Sequence, residues 1–505
     1  MNKAALTLWS LLLLGVCFAL NTRHNTFPFH YHPDEPGKVE QIMDGKWNFH
    51  HPMLLLAVTD AVVDLRGVPR TEQAIVEAGR GVSAAFTAIA VVALSLLAYL
   101  WRGWPAALAA GGALALHHQL FELSHYMKED SALLMGLALT FLAAMLYWQR
   151  PGAGTTAALG IAVGLALSGK YLGAVGLLVA LPLLWQAPGE QRWPRIAIFA
   201  TMLVVTFVLV NFPLFTHLAT FQRSFEREVQ LVVKGQAGMT RSVPHMQYWN
   251  VFIDNTTPVI WLLLLVFLGR CWHDRRSIPL AKWILIAFPF AYAVALSFSP
   301  KSNDRYFLPA TAMFTLLASL GVEDAVRLIA GHFPPVRAVA ASGLLLLLGQ
   351  IPSWWRYETA FRHDDNAELV EWLRAGRDVP PTAVLAKDNR IRLPDPAKKK
   401  HAARLGAVPQ KIVAGKFAAD LGSLVELPAK GITHVAVSES DYGKFFLQSQ
   451  RPQAGEAADF LRRQAFYQEL LRGDPPLKLL FNRDRGTVIY LHPGIRVYRL
   501  GPGPM

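Results

Sequence analysis

Cysteine is nearly absent. Two residues in 505, Cys17 inside an apolar run and Cys271 in a basic loop, exclude a disulfide framework and a thiolate metal site. Charge is scarce as well. Asp, Glu, Lys and Arg make up 17% of the chain, against about 25% in a soluble protein. The shortage is uneven: residues 1–352 carry roughly one charged residue in eight, and residues 353–505 roughly one in four. That split excludes a single soluble domain and a disordered chain. A glycine-rich nucleotide-binding loop is missing too.

What is present is apolar: 53% hydrophobic residues and a mean hydropathy of +0.28. A helix needs about 20 mostly apolar residues to cross a bilayer, fewer where the bilayer thins. The chain offers 11 candidate runs: 4–20, 82–100, 105–121, 131–148, 155–169, 171–186, 196–215, 256–269, 283–300, 306–322 and 338–352. The connections 101–104, 149–150, 189–195, 270–276 and 323–337 are mostly short and basic, which places them in the cytoplasm. The connections 21–81, 122–130, Lys170, 216–255 and 301–305 then face outward, as does the soluble part. The expected fold is a mainly α, polytopic membrane bundle over 1–352 with a C-terminal extracytoplasmic α/β domain over 353–505. It would sit in the cytoplasmic (inner) membrane. The first 20 residues also read as a secretory signal. The net charge of +13 fits cytoplasmic loops and a basic domain beside anionic lipid, not a nucleic-acid partner.

The outward loops hold the chemistry. Residues 24–51 contain five of the 16 histidines (His24, His30, His32, His50, His51) and the adjacent carboxylates Asp34 and Glu35. Pro36 and Gly37 open a short amphipathic helix behind that pair, and a helix N-terminus favours anions. "SHYMKED" at 124–130 places His125, Lys128, Glu129 and Asp130 just before an apolar run. Lys170 stands between two apolar segments beside Tyr171. "SPKSNDRYFLP" at 299–309 places Lys301, Asp304, Arg305 and Tyr306 at the mouth of a span. Any one of these fits an interfacial charge that snorkels to water. Together they point to one outward site of carboxylates, cations and aromatics, suited to an anionic lipid-linked substrate. His32, Asp34, Glu35, His50 and His51 are ligand types for a divalent metal, in a spacing that fits no standard pattern. No cofactor or ligand set is assigned.

Between 216 and 255, "FQRSFEREVQLVV" has amphipathic helical spacing, followed by "GQAGMTRSVPH", which reads as a loop. In the C-terminal part, 364–376 and 456–473 read as helices, 381–386 as a strand, and 431–446 as a strand then a helix. "LKLLFN", "TVIYLH" and "IRVYRL" read as closing strands. "KKKHAAR" at 398–404 reads as a solvated basic turn, and Trp354 and Trp355 as an interfacial aromatic belt.

Five segments carry a family resemblance: "DEPGKVEQIMDGKWNFHHPMLLL" from Asp34, "AGRGVSAAFTAIAVVALSLLAYLW" at 78–101 with its leading Arg80, "KEDSALLM" at 128–135, "LALSGKYLGAVGLL" at 165–178 and "RYFLPATAMFTLLASLGVE" at 305–323. In this order they resemble the membrane glycosyltransferases of the C superfamily (GT-C), in the bacterial branch related to protein O-mannosyltransferases and lipid A aminoarabinose transferases. The resemblance covers most of residues 1–325. His51 stands where many members have Lys. The resemblance implies a sugar donor on polyprenyl phosphate in the outer leaflet, inverting transfer, and a lipid, glycan or protein acceptor. Asp34 would act as general base and Glu35 would support the loop. Asp130 would either orient the acceptor or position a cation. Arg305, Lys170 and Lys301 would clamp the phosphate, with His51, Tyr171 and Tyr306 lining the substrate site. The chemistry asks for this: an alcohol attacks poorly unless a carboxylate takes its proton, worth roughly 10²–10⁴-fold. A lipid phosphate leaving group needs charge stabilisation more than protonation. The rival reading is a transporter or flippase for a polyprenyl-linked or anionic substrate. It requires ionisable residues along the helices, which the apolar runs largely lack.

Overall fold

The computed structural model describes residues 3–234, 241–242, 255–299, 304–329, 335–393, 408–448, 450–452, 455–484 and 489–501. The chain forms two compact units. Residues 1–234 and 247–355 make the first, residues 235–246 and 356–505 the second.

The first unit is a helical membrane bundle. Among the described residues, six helices are long and apolar enough to cross a bilayer: Lys3–Asn21, Glu72–Arg102, Glu129–Gln149, Gly189–Val210, Leu280–Ser297 and the segment Asp304–Leu328. Shorter apolar helices fill four of the other runs, at Trp104–Ala115, Ala153–Gly169, Tyr171–Trp185 and Pro258–His273. A helix over Pro335–Ala360 covers the last run. The run 105–121 is not one helix. His117 is extended, its ring accepts from the Gln119 N–H (3.3 Å), and a new short helix starts at His118. The runs on either side of Lys170 are likewise two elements, because Lys170 is extended at φ −160°.

Glu72–Arg102 shows why such elements form. Thr71 caps its first turn by accepting from the Ala74 N–H, with Glu72 in that turn and Arg102 in the last. These charges match the helix dipole. Gly103, at φ +79°, ends it. At 31 residues it is about 46 Å long, more than the about 30 Å hydrocarbon core. The end that starts at Glu72 carries Arg80 beyond most of the apolar stretch.

Small residues let the next helices approach closely. A Cβ on Gly136 would lie 2.3 Å from the Ala166 Cα, and one on Gly169 would lie 2.7 Å from the Ala132 carbonyl carbon. The helices Glu129–Gln149 and Ala153–Gly169 therefore touch backbone to backbone, and Lys170 emerges beside the start of the first.

The second unit holds a five-stranded sheet: β1 (Val384–Lys387), β2 (Lys411–Ala414), β3 (His434–Ser438), β4 (Lys478–Arg483) and β5 (Ile495–Arg499). The spatial order is β2-β1-β3-β5-β4. β1 is parallel to β2 and β3, and β5 runs antiparallel to β3 and β4. The helices Asp365–Ala375 and Ala457–Arg472 fall where the periodicity places them. Buried Leu369, Val435, Tyr467 and Val497 belong to its cores. One expectation fails. Of "TVIYLH" the described part is a turn closed by a bridge between Ile489 and His492, not a closing strand. The buried His492 ring is held there by the His363 carbonyl (2.9 Å). The basic run 398–404 and most of the stretch 235–245 lie outside the described residues.

Candidate active site

The loop after the first helix is organised by one buried side chain, Arg80. Its Nε and Nη2 donate to the two Glu35 oxygens at 2.9 and 2.7 Å. Its Nη1 donates to the Asn25 (2.8 Å) and Phe27 carbonyls. The guanidinium lies 3.5 Å from the Phe27 ring centroid. Arg80 and Glu35 side chains are both 0% exposed. Glu35 also accepts from the Met127 N–H (2.9 Å), so it ties the first loop to the segment before Glu129–Gln149. Glu35 is thus spent on structure.

Its neighbour Asp34 points the other way and is 39% exposed at the side chain. Asp34 Oδ2 accepts from Lys128 Nζ and from Arg305 Nη1, the latter at 3.3 Å. Beside it, Lys38 Nζ lies 3.0 Å from Glu129 Oε1. Lys170 Nζ donates to Asp130 Oδ1 at 2.7 Å. Arg305 Nε is 4.0 Å from Asp130 Oδ2, and that buried oxygen accepts no hydrogen bond. Among the described residues, the four cations Lys38, Lys128, Lys170 and Arg305 therefore face the three carboxylates Asp34, Glu129 and Asp130, one positive charge more.

Aromatic rings form part of the wall. Tyr306 lies under Lys170 (4.7 Å) and Arg305 (5.5 Å). Tyr171 donates to the Phe49 carbonyl (3.0 Å) and meets Phe225 edge-on (5.4 Å). Phe225 belongs to the amphipathic helix Leu218–Lys234. Asn211 locks the floor, accepting from the Met53 N–H (2.8 Å) and donating to Ser168 Oγ (2.9 Å).

Burial alone would push the Asp34 carboxyl up, but Lys128 and Arg305, helped by Lys38, outweigh it. They hold the group well below the usual carboxylate range. Burial pushes the His51 imidazole down to about 4, against the pull of Glu129. His32, also buried, is likewise pushed well down, so both rings are neutral at pH 7.

Asp34, Asp130, Lys170, Arg305 and Tyr306 thus come together, with His51 and Tyr171 at the edge. Lys301 lies outside the described residues. Sequence reasoning placed Lys128 and Glu129 in the shared cluster without a role of their own, and it did not single out Lys38. Lys38 falls one helical turn after Asp34, so spacing alone could have nominated it. Among the described residues no three His, Cys, Asp or Glu side chains are placed to share a metal ion. Between Asp34 and Glu129 stands Lys128 Nζ, 3.8 Å from Glu129 Oε2. These side chains do not fit a metal.

Residues 74–227, which include Arg80, Asp130 and Lys170, match the family described as dolichyl-phosphate-mannose-protein mannosyltransferase. The chain is similar in structure to ArnT from Cupriavidus metallidurans, solved bound to undecaprenyl phosphate. The TM-score is 0.55 at 16% identity, over 100% of both chains. This chain has the fold of the GT-C membrane glycosyltransferases. The GT-C resemblance read from the five segments is borne out. A second similar structure is the oligosaccharyltransferase AglB from Archaeoglobus fulgidus, in complex with an inhibitory peptide and a dolichol-phosphate. There the TM-score is 0.53 at 12% identity, over 87% of this chain and 70% of that one. By sequence, no curated protein matches.

Proposed function

We propose that the protein transfers a sugar from a polyprenyl-phosphate donor to an acceptor hydroxyl, on the extracytoplasmic side of the cytoplasmic membrane. The observation that carries this reading is the surplus positive charge beside the exposed Asp34 carboxylate. An anionic phosphate neutralises the surplus, and a carboxylate can take the proton of the attacking alcohol.

The two functions are coupled through shared cations. Without a donor, Lys128 and Arg305 are paired with Asp34 and make it a weak base. A lipid phosphate competes for the same ammonium and guanidinium groups. As they turn to the phosphate, Asp34 loses its partners and regains basicity. The acceptor oxygen then attacks the anomeric carbon while its proton goes to Asp34. The bond from that carbon to the phosphate oxygen breaks, and the electron pair stays on the phosphate. Lys128, Lys170 and Arg305 stabilise the charge that develops there. A single displacement inverts the anomeric centre. The unoccupied Asp130 Oδ2 accepts a hydroxyl of donor or acceptor, while its other oxygen keeps Lys170 in place. His51, Tyr171 and Tyr306 line the sugar. The GT-C fold and the mannosyltransferase family match add support by analogy.

The test is transfer from a polyprenyl-phosphate sugar by the purified protein in lipid. Wild type yields glycosylated acceptor, and Asp34→Asn lowers the rate by about 10²–10⁴-fold. Undiminished transfer by Asp34→Asn removes Asp34 as the base.

A further inference from the structure

Arg305 reaches two carboxylates that come from separate segments. Its Nη1 is 3.3 Å from Asp34 Oδ2 and its Nε is 4.0 Å from Asp130 Oδ2. Its backbone lies in the single 3₁₀ turn Asp304–Phe307, which runs directly into the helix Leu308–Ile329. A long side chain keeps one geometry only if the backbone that carries it is fixed, to about 0.5 Å in a working site. A four-residue 3₁₀ turn, with its poor hydrogen-bond geometry, supplies little of that rigidity by itself.

Two buried side chains hold this turn, one on each side of Arg305. Gln119, 4% exposed, donates from Nε2 to the Asp304 carbonyl at 3.0 Å. Tyr292, 5% exposed, donates its hydroxyl to the Tyr306 carbonyl, also at 3.0 Å. These are the carbonyls of the residues just before and just after Arg305. The donors stand on two different helices, His118–Ser124 and Leu280–Ser297. Each donor is fixed in turn. The His117 ring accepts from the Gln119 N–H and stacks on His118 (5.0 Å). The Tyr292 ring stacks on Phe288 (5.5 Å), and Phe288 meets Phe141 edge-on (4.7 Å). Phe141 belongs to the helix that opens with Glu129 and Asp130. By holding the Tyr306 backbone, Tyr292 also places the ring that lies under Lys170 and Arg305.

We propose that Gln119 and Tyr292 are positioning residues for the phosphate clamp. Neither joins the ion-pair cluster. They fix the backbone on both sides of Arg305, so that its guanidinium is aimed before the lipid phosphate arrives. Such preorganisation lowers the cost of ordering a long side chain on binding. The proposal rests on the reading of Arg305 as a phosphate ligand given above.

The experiment titrates the purified full chain in detergent with undecaprenyl phosphate, followed by native mass spectrometry. Tyr292→Phe removes one hydroxyl, and Gln119→Met removes the amide donor at similar volume. Each weakens binding about 3- to 10-fold, the scale of one hydrogen bond. The same substitutions are then made in an Arg305→Gln background. There they change affinity by less than about twofold, because no guanidinium is left to aim. Equal weakening in both backgrounds, which a general loss of stability produces, overturns the proposal. Wild-type affinity in both single variants overturns it as well. Should Gln119→Met fail to fold, Tyr292→Phe decides alone. If Arg305→Gln itself binds like wild type, the phosphate reading of Arg305 falls and the positioning role falls with it. If Arg305→Gln weakens binding and the positioning variants do not, the positioning role alone falls.

Discussion

Aspartate is held in two opposite conditions in this molecule. In the membrane unit Asp34 is part-exposed and directly paired with Lys128 and Arg305, which hold its carboxyl far down against the effect of burial. In the C-terminal unit Asp388 is fully buried and takes its hydrogen bonds from two backbone N–H groups and a tyrosine hydroxyl. Burial, with Asp441 close by, pushes it up to about 7. Neutral donors satisfy a carboxylate without supplying the charge that keeps it ionised; ammonium and guanidinium groups supply it. Glu35 stands between the two cases. It is as buried as Asp388, yet paired with Arg80 in a two-point contact. The difference sorts the carboxylates by use. Asp34, part-exposed and with cations that can leave it, is suited to chemistry, whereas Asp388 and Glu35 hold loops together.

Breaking the Glu35 arrangement has the largest expected effect. Arg80→Ala leaves a buried carboxylate without its cation, at a cost of about 3–5 kcal/mol. The expected result is loss of folded protein in a detergent thermal-stability measurement; a melting temperature close to wild type contradicts the structural role. Crowding the helix contact behind Lys170 comes next. Gly136→Val places side-chain atoms against the Ala166 backbone and costs about 1–3 kcal/mol. Lys170 moves away from Asp130, and transfer falls further than stability alone accounts for. Equal activity per folded molecule means the close approach does not position Lys170.

A third test sharpens the comparison through pH. Asp388 has a folded pKa raised from 3.8 to about 7. Between those values the unfolded chain releases its proton and the folded domain keeps it. Stability from this group is therefore fully present below about pH 4 and is lost as pH rises through about 7. The denaturant midpoint of the C-terminal unit should fall over that interval, and Asp388→Asn should flatten the fall. A slope that survives in the variant assigns it to another group.

Much of this was legible in the sequence, for physical reasons. The bilayer demands long apolar helices, so composition alone exposed the bundle. Asp34, Asp130, Lys170 and Arg305 could be singled out because such charges recur at the mouths of apolar runs in separate loops. Arg80 was visible as the residue that leads a family motif, but its grip on the loop was not: Glu35 lies 45 positions away, and no local pattern reports such a pairing. Strand β2 was missed. Its four residues pair, among the described strands, with β1 alone. "TVIYLH" failed for the opposite reason. Its residues favour a strand, but the buried contacts of His492 turn the chain instead.

The most direct measurement is the affinity of the purified protein for undecaprenyl phosphate, in wild type, Lys128→Gln and Arg305→Gln. Each lost charged contact should weaken binding by about 10- to 100-fold, and the weakening should shrink in high salt. Affinities that match wild type in both variants would show that these cations do not hold the lipid phosphate, and the account of the membrane site would fall with them.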